Sequence, residues 1–173
     1  MKQQRITGGE PAGADGDLVR QVLNIMEQGI LVWDAEGRCL LFNNRVYRML
    51  EIGTDDLNYG TARADFRARA VERGDVAPVV MERSEGLIRA GQPYVFDRNL
   101  PSGRVVLTNG RPTREGGTVV TFTDVTEARR IQRDMARASA EAEAAGQRAQ
   151  EVIERQKVWQ DEARMLGLLD EWL

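Results

Sequence analysis

Histidine is absent from the sequence. Its absence removes histidine-ligated haem, Ser-His and Cys-His catalytic pairs, and any phosphorylatable histidine, so the segment is not itself a histidine kinase catalytic core. Cysteine is almost absent: Cys39 stands alone, which rules out an internal disulfide and a zinc-binding set of thiols and imidazoles. Long apolar runs are missing too. No stretch approaches the roughly 20 residues that span a bilayer, and Met1-Lys2-Gln3-Gln4-Arg5 lacks the apolar core of a signal peptide. A reducing, cytoplasmic setting is expected, with no membrane contact from this segment. The net charge of −3 leaves no electrostatic footprint for nucleic acid. Gly8-Gly9 and Gly116-Gly117 are isolated pairs, unlike a glycine-rich phosphate loop. Asp55-Asp56 lacks further ligands at metal-site spacing and reads as a turn or helix start. With no polar constellation for catalysis, a regulatory segment is expected in place of an enzyme; any catalytic output domain would lie beyond residue 173.

What the chain does have is enough apolar material, 42% of 173 residues, for one compact domain and an extension. The most informative stretch runs from Gly117 to Arg130. Thr118-Val119-Val120-Thr121-Phe122-Thr123 is β-branched, aromatic and alternating, and follows the Glu115-Gly116-Gly117 turn, so it reads as the last strand of a hairpin. Asp124 then stands where a helix cap belongs, with Glu127 three residues on in a capping-box arrangement. Arg129 and Arg130 have the wrong sign for the positive end of a helix dipole, so the cap, with pairing of an Arg to Asp124, is expected to hold this junction.

Asp124-Val125-Thr126-Glu127, closing a strand and opening a helix, resembles the D-[IV]-T-[ED] signature that ends PAS domains, the small sensory modules of signalling proteins. Ile30-Leu31-Val32-Trp33-Asp34, the turn at Ala35-Glu36-Gly37, and Arg38-Cys39-Leu40-Leu41-Phe42-Asn43 resemble that family's opening strand pair and asparagine-led helix. Pro101-Ser102-Gly103-Arg104 and Arg111-Pro112 are similarly placed in its later strands. The resemblance covers residues 17 to 130 and implies an α+β fold, a five-stranded antiparallel sheet with flanking helices. Flavin-binding light sensors of the family carry their reactive cysteine in an Asn-Cys-Arg helix motif. Cys39 lies in a strand, so cysteinyl-flavin chemistry is not expected and the thiol is read as an inert core residue. Any cofactor is left unidentified.

Residues 1 to 16 are glycine-rich with little to bury and read as a disordered leader; the sensory domain is expected over 17 to 125. From Asp17, with Gly16 or Asp17 as cap, Leu18, Val22, Leu23 and Met26 share one helical face. Two readings stay open for it: a helix that packs into the core, or, as the resemblance implies, a flanking helix on a partner's sheet in a dimer. The strands Ile30 to Trp33 and Arg38 to Phe42 are apolar on both faces, which suggests a sheet covered on both sides, once by the domain's own helices and once by a second subunit. Asn43 or Asn44 begins a helix through Val46, Met49 and Leu50, the asparagine capping the first turn.

Leu57 to Arg73 and Ala77 to Ala90 have helix-like apolar spacing and are separated by Gly74-Asp75. Arg63, Arg67, Arg69, Glu72 and Arg73 read as a solvated face. The resemblance implies that these helices wall a ligand cavity. Strands at Tyr94 to Leu100, Arg104 to Arg111 and Thr118 to Asp124 complete the sheet. By analogy with the family, Phe122 points inward, and Arg98 and Thr108 are polar groups of that cavity.

From Thr126 to Trp172 there is no proline and an abundance of Ala, Glu, Arg and Gln. A nearly continuous helix of about 47 residues, roughly 70 Å, is expected over the extension at 126 to 173. Ala128, Met135, Ala142, Ala149, Gln156 and Ala163 recur every seven residues, interleaved with Ile131, Ala138, Ala145, Val152, Trp159 and Leu166, which is a coiled-coil seam. Ile131, Met135, Val152, Trp159 and Leu166 are its large members, and alanine elsewhere makes it shallow. Met165, Leu168, Leu169 and Trp172 form a larger face at the end, which either completes the seam or meets a downstream regulatory or output domain. The whole reads as a sensory and dimerisation module of a signal-transduction protein. A change induced by a ligand or partner would pass from the sheet through Asp124, Thr126 and Glu127 to the coiled coil; the alternative is a structural dimeriser and spacer with no ligand.

Overall fold

The computed structural model describes residues 14–167. Two units are described separately, the first running to Thr126 and the second beginning at Glu127. The first carries helix α1 (Ala14–Ile25), strands β1 (Gly29–Trp33) and β2 (Cys39–Phe42), helices α2 (Arg45–Leu50), α3 (Arg63–Glu72) and α4 (Pro78–Arg89), and strands β3 (Tyr94–Asn99), β4 (Val105–Pro112) and β5 (Thr118–Asp124). Helix α5 (Thr126–Met165) follows.

The five strands form one antiparallel sheet in the order β2-β1-β5-β4-β3, so the last strand lies between the first and the fourth. Every strand expected from the alternation is present, within a residue or two at its ends. The pairings Leu31↔Val120, Thr108↔Phe122 and Arg98↔Val106 put residues two apart on a common face. That face is the core. Leu31, Trp33, Phe66, Tyr94, Val106, Val120 and Phe122 are buried against one another, with Val46, Leu50 and Leu57 from the helical side. A register shift between Val32 and Trp33 sets Trp33 opposite Cys39 and leaves Leu40 exposed on the far face.

Gly110 lies opposite Tyr94, and a Cβ there would fall 2.1 Å from the Tyr94 ring. Glycine is therefore the residue that lets the ring lie flat across β4.

The N-terminal helix differs from expectation in two ways. It begins at Ala14, so Gly16 and Asp17 lie inside it and do not cap it. Leu18, Val22 and Met26 are exposed, so this face does not pack into the chain's own core. The leader up to residue 13 lies outside the described residues.

Asn43 is also corrected. Helix α2 begins at Arg45 after Asn44, and no side-chain bond caps it. Asn43 is instead buried under α1. Its Oδ1 accepts from the Ile30 amide at 3.0 Å, and its Nδ2 donates to the carbonyls of Leu23 and Gln28 at 2.7 and 2.9 Å. Three backbone groups that face one another in this corner would otherwise lack partners, and they outcompete the helix end for the side chain.

In the second unit α5 spans 40 residues and stops at Met165, short of the expected end at Trp172. Gly167 adopts a left-handed φ of 68°, the conformation that terminates helices, and the reading of a continuous helix passed over it. Ile131, Met135, Val152 and Trp159 on this helix, and Leu166 just past its end, are 49–73% exposed. The terminal face at Leu168, Leu169 and Trp172 lies outside the described residues.

Candidate functional site

Two places combine polar groups with the structural means to do something with them: the buried interior beneath α3 and α4, and the corner where β5 ends.

In the interior, the structure brings Arg98, Thr108 and Phe122 together. All three are buried on one face of neighbouring strands, and Arg98 Nε donates to Thr108 Oγ1 at 3.3 Å. The Arg98 guanidinium lies 5.6 Å from the ring centres of both Phe66 and Phe122 and 5.9 Å from that of Phe96. Such cation–π contacts are worth about 1–2 kcal/mol each once desolvated. Nη1 has no hydrogen-bond acceptor among the described residues. The carboxylate facing it, Asp75, is 3.9 Å away and is already held by Arg73 through Nε at 3.2 Å and Nη2 at 2.9 Å. A stranded buried N–H costs about 1–3 kcal/mol. Burial lowers the Arg98 pKa to about 10, against the opposing pull of Asp75, so the group is still a cation at neutral pH.

Little of this interior is empty. Between Leu31, Trp33, Phe66, Arg98, Thr108 and Phe122 the space open to the centre of a water molecule is ≈ 10 Å³. Tyr94 and Phe96, their rings stacked at 6.0 Å, line that space and also a wider groove of ≈ 480 Å³ between α4 and β3.

The arginines of α3 were expected to form a solvated face, and several do not. Arg67 donates to the carbonyl of Met81 and to Ser84 Oγ, and it lies 3.4 Å from Glu85; burial lowers its pKa. Arg63 reaches the same Glu85 at 3.4 Å, and Arg73 pairs with Asp56 at 2.8 Å. These side chains tie α3 to α4 and to the turn that precedes it. Their partners lie 14 to 22 residues away, so no local spacing marked them. Asp56 sits in the expected turn, accepting from the Gly53 amide at 3.2 Å. Cys39 is buried and its thiol pKa is pushed up to about 12, mainly by burial.

At the end of β5, Asp124 Oδ1 accepts from the Thr126 amide at 3.0 Å and from the Thr126 hydroxyl at 2.5 Å. The ladder continues past the strand: the Val125 amide donates to the Val105 carbonyl at 2.9 Å, and the Val105 amide donates to Thr126 Oγ1 at 2.9 Å. Thr126 thus begins the helix with its backbone and prolongs the sheet with its side chain. Glu127, the far member of the expected capping box, carries an ion pair to Arg130 at 3.0 Å. A cation reaches Asp124 from β4: Arg104 Nε lies 3.3 Å from Oδ2, while its Nη1 donates to the Arg48 carbonyl near the end of α2 at 2.7 Å. Asp124 is held below the usual carboxylate range, first by the Thr126 hydroxyl, then by the Thr126 amide and Arg104. Sequence reading missed Arg104 because its role depends on β4 lying beside β5.

A family model described as PAS fold matches residues 23–133. The Non-motile and phage-resistance protein of Caulobacter vibrioides is 28% identical over 129 residues, which cover 73% of this chain and 14% of that protein. The chain therefore spans about a seventh of that relative's length. Among solved structures, an RNA-binding Light-Oxygen-Voltage receptor superposes with a TM-score of 0.51 at 17% identity, covering 82% of this chain and 41% of that one. The PAS domain of Bordetella pertussis BvgS superposes with a TM-score of 0.45 at 18% identity, covering 75% of this chain and 99% of that one.

Proposed function

The chain belongs to the PAS family, and on that premise we propose that it is the sensory and relay module of a signalling protein, pairing as a homodimer through α1 and α5. A ligand or partner acts on the sheet. The displacement of β5 leaves through Asp124, Thr126 and Glu127, enters α5, and shifts the register or crossing angle of a two-helix coiled coil. A seam built largely from alanine buries little per turn, so alternative packings differ by only about a few kcal/mol, within reach of a ligand's differential affinity. The setting is the cytoplasm, and a regulatory or output domain receives the signal.

The observation that carries this reading is the shared role of Thr126, whose hydroxyl is a sheet partner of Val105 while its backbone opens α5. The exposed apolar residues along α5 and α1 support pairing, since isolated surfaces of this kind favour association. Light scattering of the full chain at micromolar concentration should give a dimer, and a monomer there would sink the coiled-coil relay.

A second reading, a structural dimeriser and spacer, is favoured by the ≈ 10 Å³ left in the interior. Mass spectrometry of small molecules released on denaturing the purified protein separates the two. A stoichiometric compound supports the sensor; repeated absence supports the spacer.

A further inference from the structure

We propose that Arg104 is a cation shared between two carboxylates, Glu51 at the end of α2 and Asp124 at the β5–α5 corner, so that the position of α2 sets how firmly the corner is held. This deepens the relay reading and rests on it. The corner gains an input from the helical side of the core as well as from the sheet.

Glu51 closes α2 with φ 55° and ψ 42°, and among the described residues it is the one non-glycine residue in the left-handed region. Glycine serves a helix end in this conformation without strain, whereas a side chain there costs stability and points to a use for the residue. What the glutamate adds is its carboxylate. Oε1 accepts from the Ser102 hydroxyl at 2.9 Å and stands 3.6 Å from Arg104 Nη1. The same guanidinium has its Nε 3.3 Å from Asp124 Oδ2, and Nη1 donates to the Arg48 carbonyl at 2.7 Å. Arg104 therefore meets α2 at two points and the corner at one.

One cation facing two anions cannot serve both in full. The three side chains are 36–40% exposed, so water can stand in for either carboxylate and a change of partner costs little. The backbone beside Arg104 is not free in the same way. Val105 takes the Val125 amide on its carbonyl and gives its own amide to Thr126 Oγ1, which leaves the Arg104 side chain as the part that can choose. Leu50, the residue before Glu51, is buried in the core, so whatever displaces the helical side of that core moves Glu51 too. An approach of Glu51 draws the cation from Asp124 and loosens the corner; its withdrawal returns the cation. The coupling is reciprocal, so loss of the Asp124 charge hands Arg104 to Glu51.

Hydrogen exchange on the full chain tests this, with the amides of β1 as the reference for global stability. Glu51→Gln keeps the shape of the side chain and removes its charge. It should slow exchange of amides 124–131 by about two- to five-fold, the scale of one half-exposed ion pair. Ser102→Ala, which frees Glu51 to turn away, should act in the same direction by less. Asp124→Asn should in turn slow the amides of Glu51 and Ile52, which donate to the Tyr47 carbonyl. Arg104→Met should erase the effect of Glu51→Gln, and if that variant fails to fold, the Asp124→Asn background should erase it equally. Faster exchange in Glu51→Gln would make Glu51 a brace that steers Arg104 onto Asp124, and unchanged exchange would make it a bystander; either overturns the sharing, as does an effect that persists without Arg104. These outcomes leave the relay standing. A monomer by light scattering sinks the relay, while the exchange within the domain still reports whether Arg104 is shared.

Discussion

Two corners of this domain turn a strand into a helix through an acidic or amide side chain, and they are built to opposite specifications. At the β2–α2 corner Asn43 is buried, and its three hydrogen bonds all go to backbone groups. At the β5–α5 corner the Asp124 side chain is 40% exposed, and it is held by one backbone amide, one hydroxyl and an arginine that is itself 36% exposed. The first corner joins elements that must not separate: release of Asn43 strands an amide of β1, the Leu23 carbonyl of α1 and the Gln28 carbonyl of the turn between them. The second has partners that water can replace. A buried amide network fixes a geometry, whereas a solvated carboxylate with adjustable partners can change one at small cost. A relay would be placed at the second.

The contrast is broken most directly at Asn43. Asn43→Ala should cost about 3 kcal/mol, because it leaves three facing backbone groups unpaired in a partly buried site. Urea denaturation reads this as a drop in midpoint at unchanged slope. A loss comparable to that of an exposed cap would mean that water already serves these groups, and the two corners would be alike.

A reference that shares no bonds with either corner is Gly110→Ala. Its new methyl meets the Tyr94 ring, and the overpacking should cost about 2 kcal/mol. Thermal unfolding checks it, and a neutral result would show that the Tyr94 ring shifts freely.

The difference between the corners was not visible in the sequence. Asn43 and Asp124 both precede helices, and local pattern assigns both to caps; what separates them is which distant elements arrive beside them. For Asn43 it is the end of α1, and for Asp124 it is Arg104 from the neighbouring strand. The strands themselves were legible because alternation of Thr118 to Thr123 groups Thr118, Val120 and Phe122 on one face, while the inward direction of that face came from the family resemblance. The arginines of α3 were misread for the same reason as Asn43. Arg67 looks like a surface charge until α4 packs against it and offers the Met81 carbonyl. Gly167 was a local signal that the expectation of a continuous helix left out of account.

Asp124→Ala should cost about 1 kcal/mol, the usual worth of a side chain serving a helix's first amides. Hydrogen exchange offers a sharper reading than global stability. Amides 124–131 should exchange faster in this variant, and those of β1 should not. Thr126→Val, which removes the acceptor for the Val105 amide, should loosen the same stretch, and Thr126→Ser should restore it. Unchanged exchange at this corner would mean that Asp124 is a passenger there.

The smallest effect distinguishes the corners by titration. Asp124 has a folded-state pKa below its ordinary value near 3.8, owing first to the Thr126 hydroxyl. A carboxylate with a depressed pKa binds its proton more readily in the unfolded chain, so acid favours unfolding. Its stabilisation is complete above the unfolded-state value and is lost as pH falls through the lower folded one, a window that begins near pH 4. With the side chain 40% exposed, the contribution is a fraction of that lost in Asp124→Ala. Asn43 does not titrate. Between pH 6 and 3, wild type and Asp124→Asn should therefore converge in stability, while wild type and Asn43→Ala keep a constant separation. Parallel curves for the Asp124 pair would show that its charge contributes nothing, and the corner would then be held by Thr126 alone.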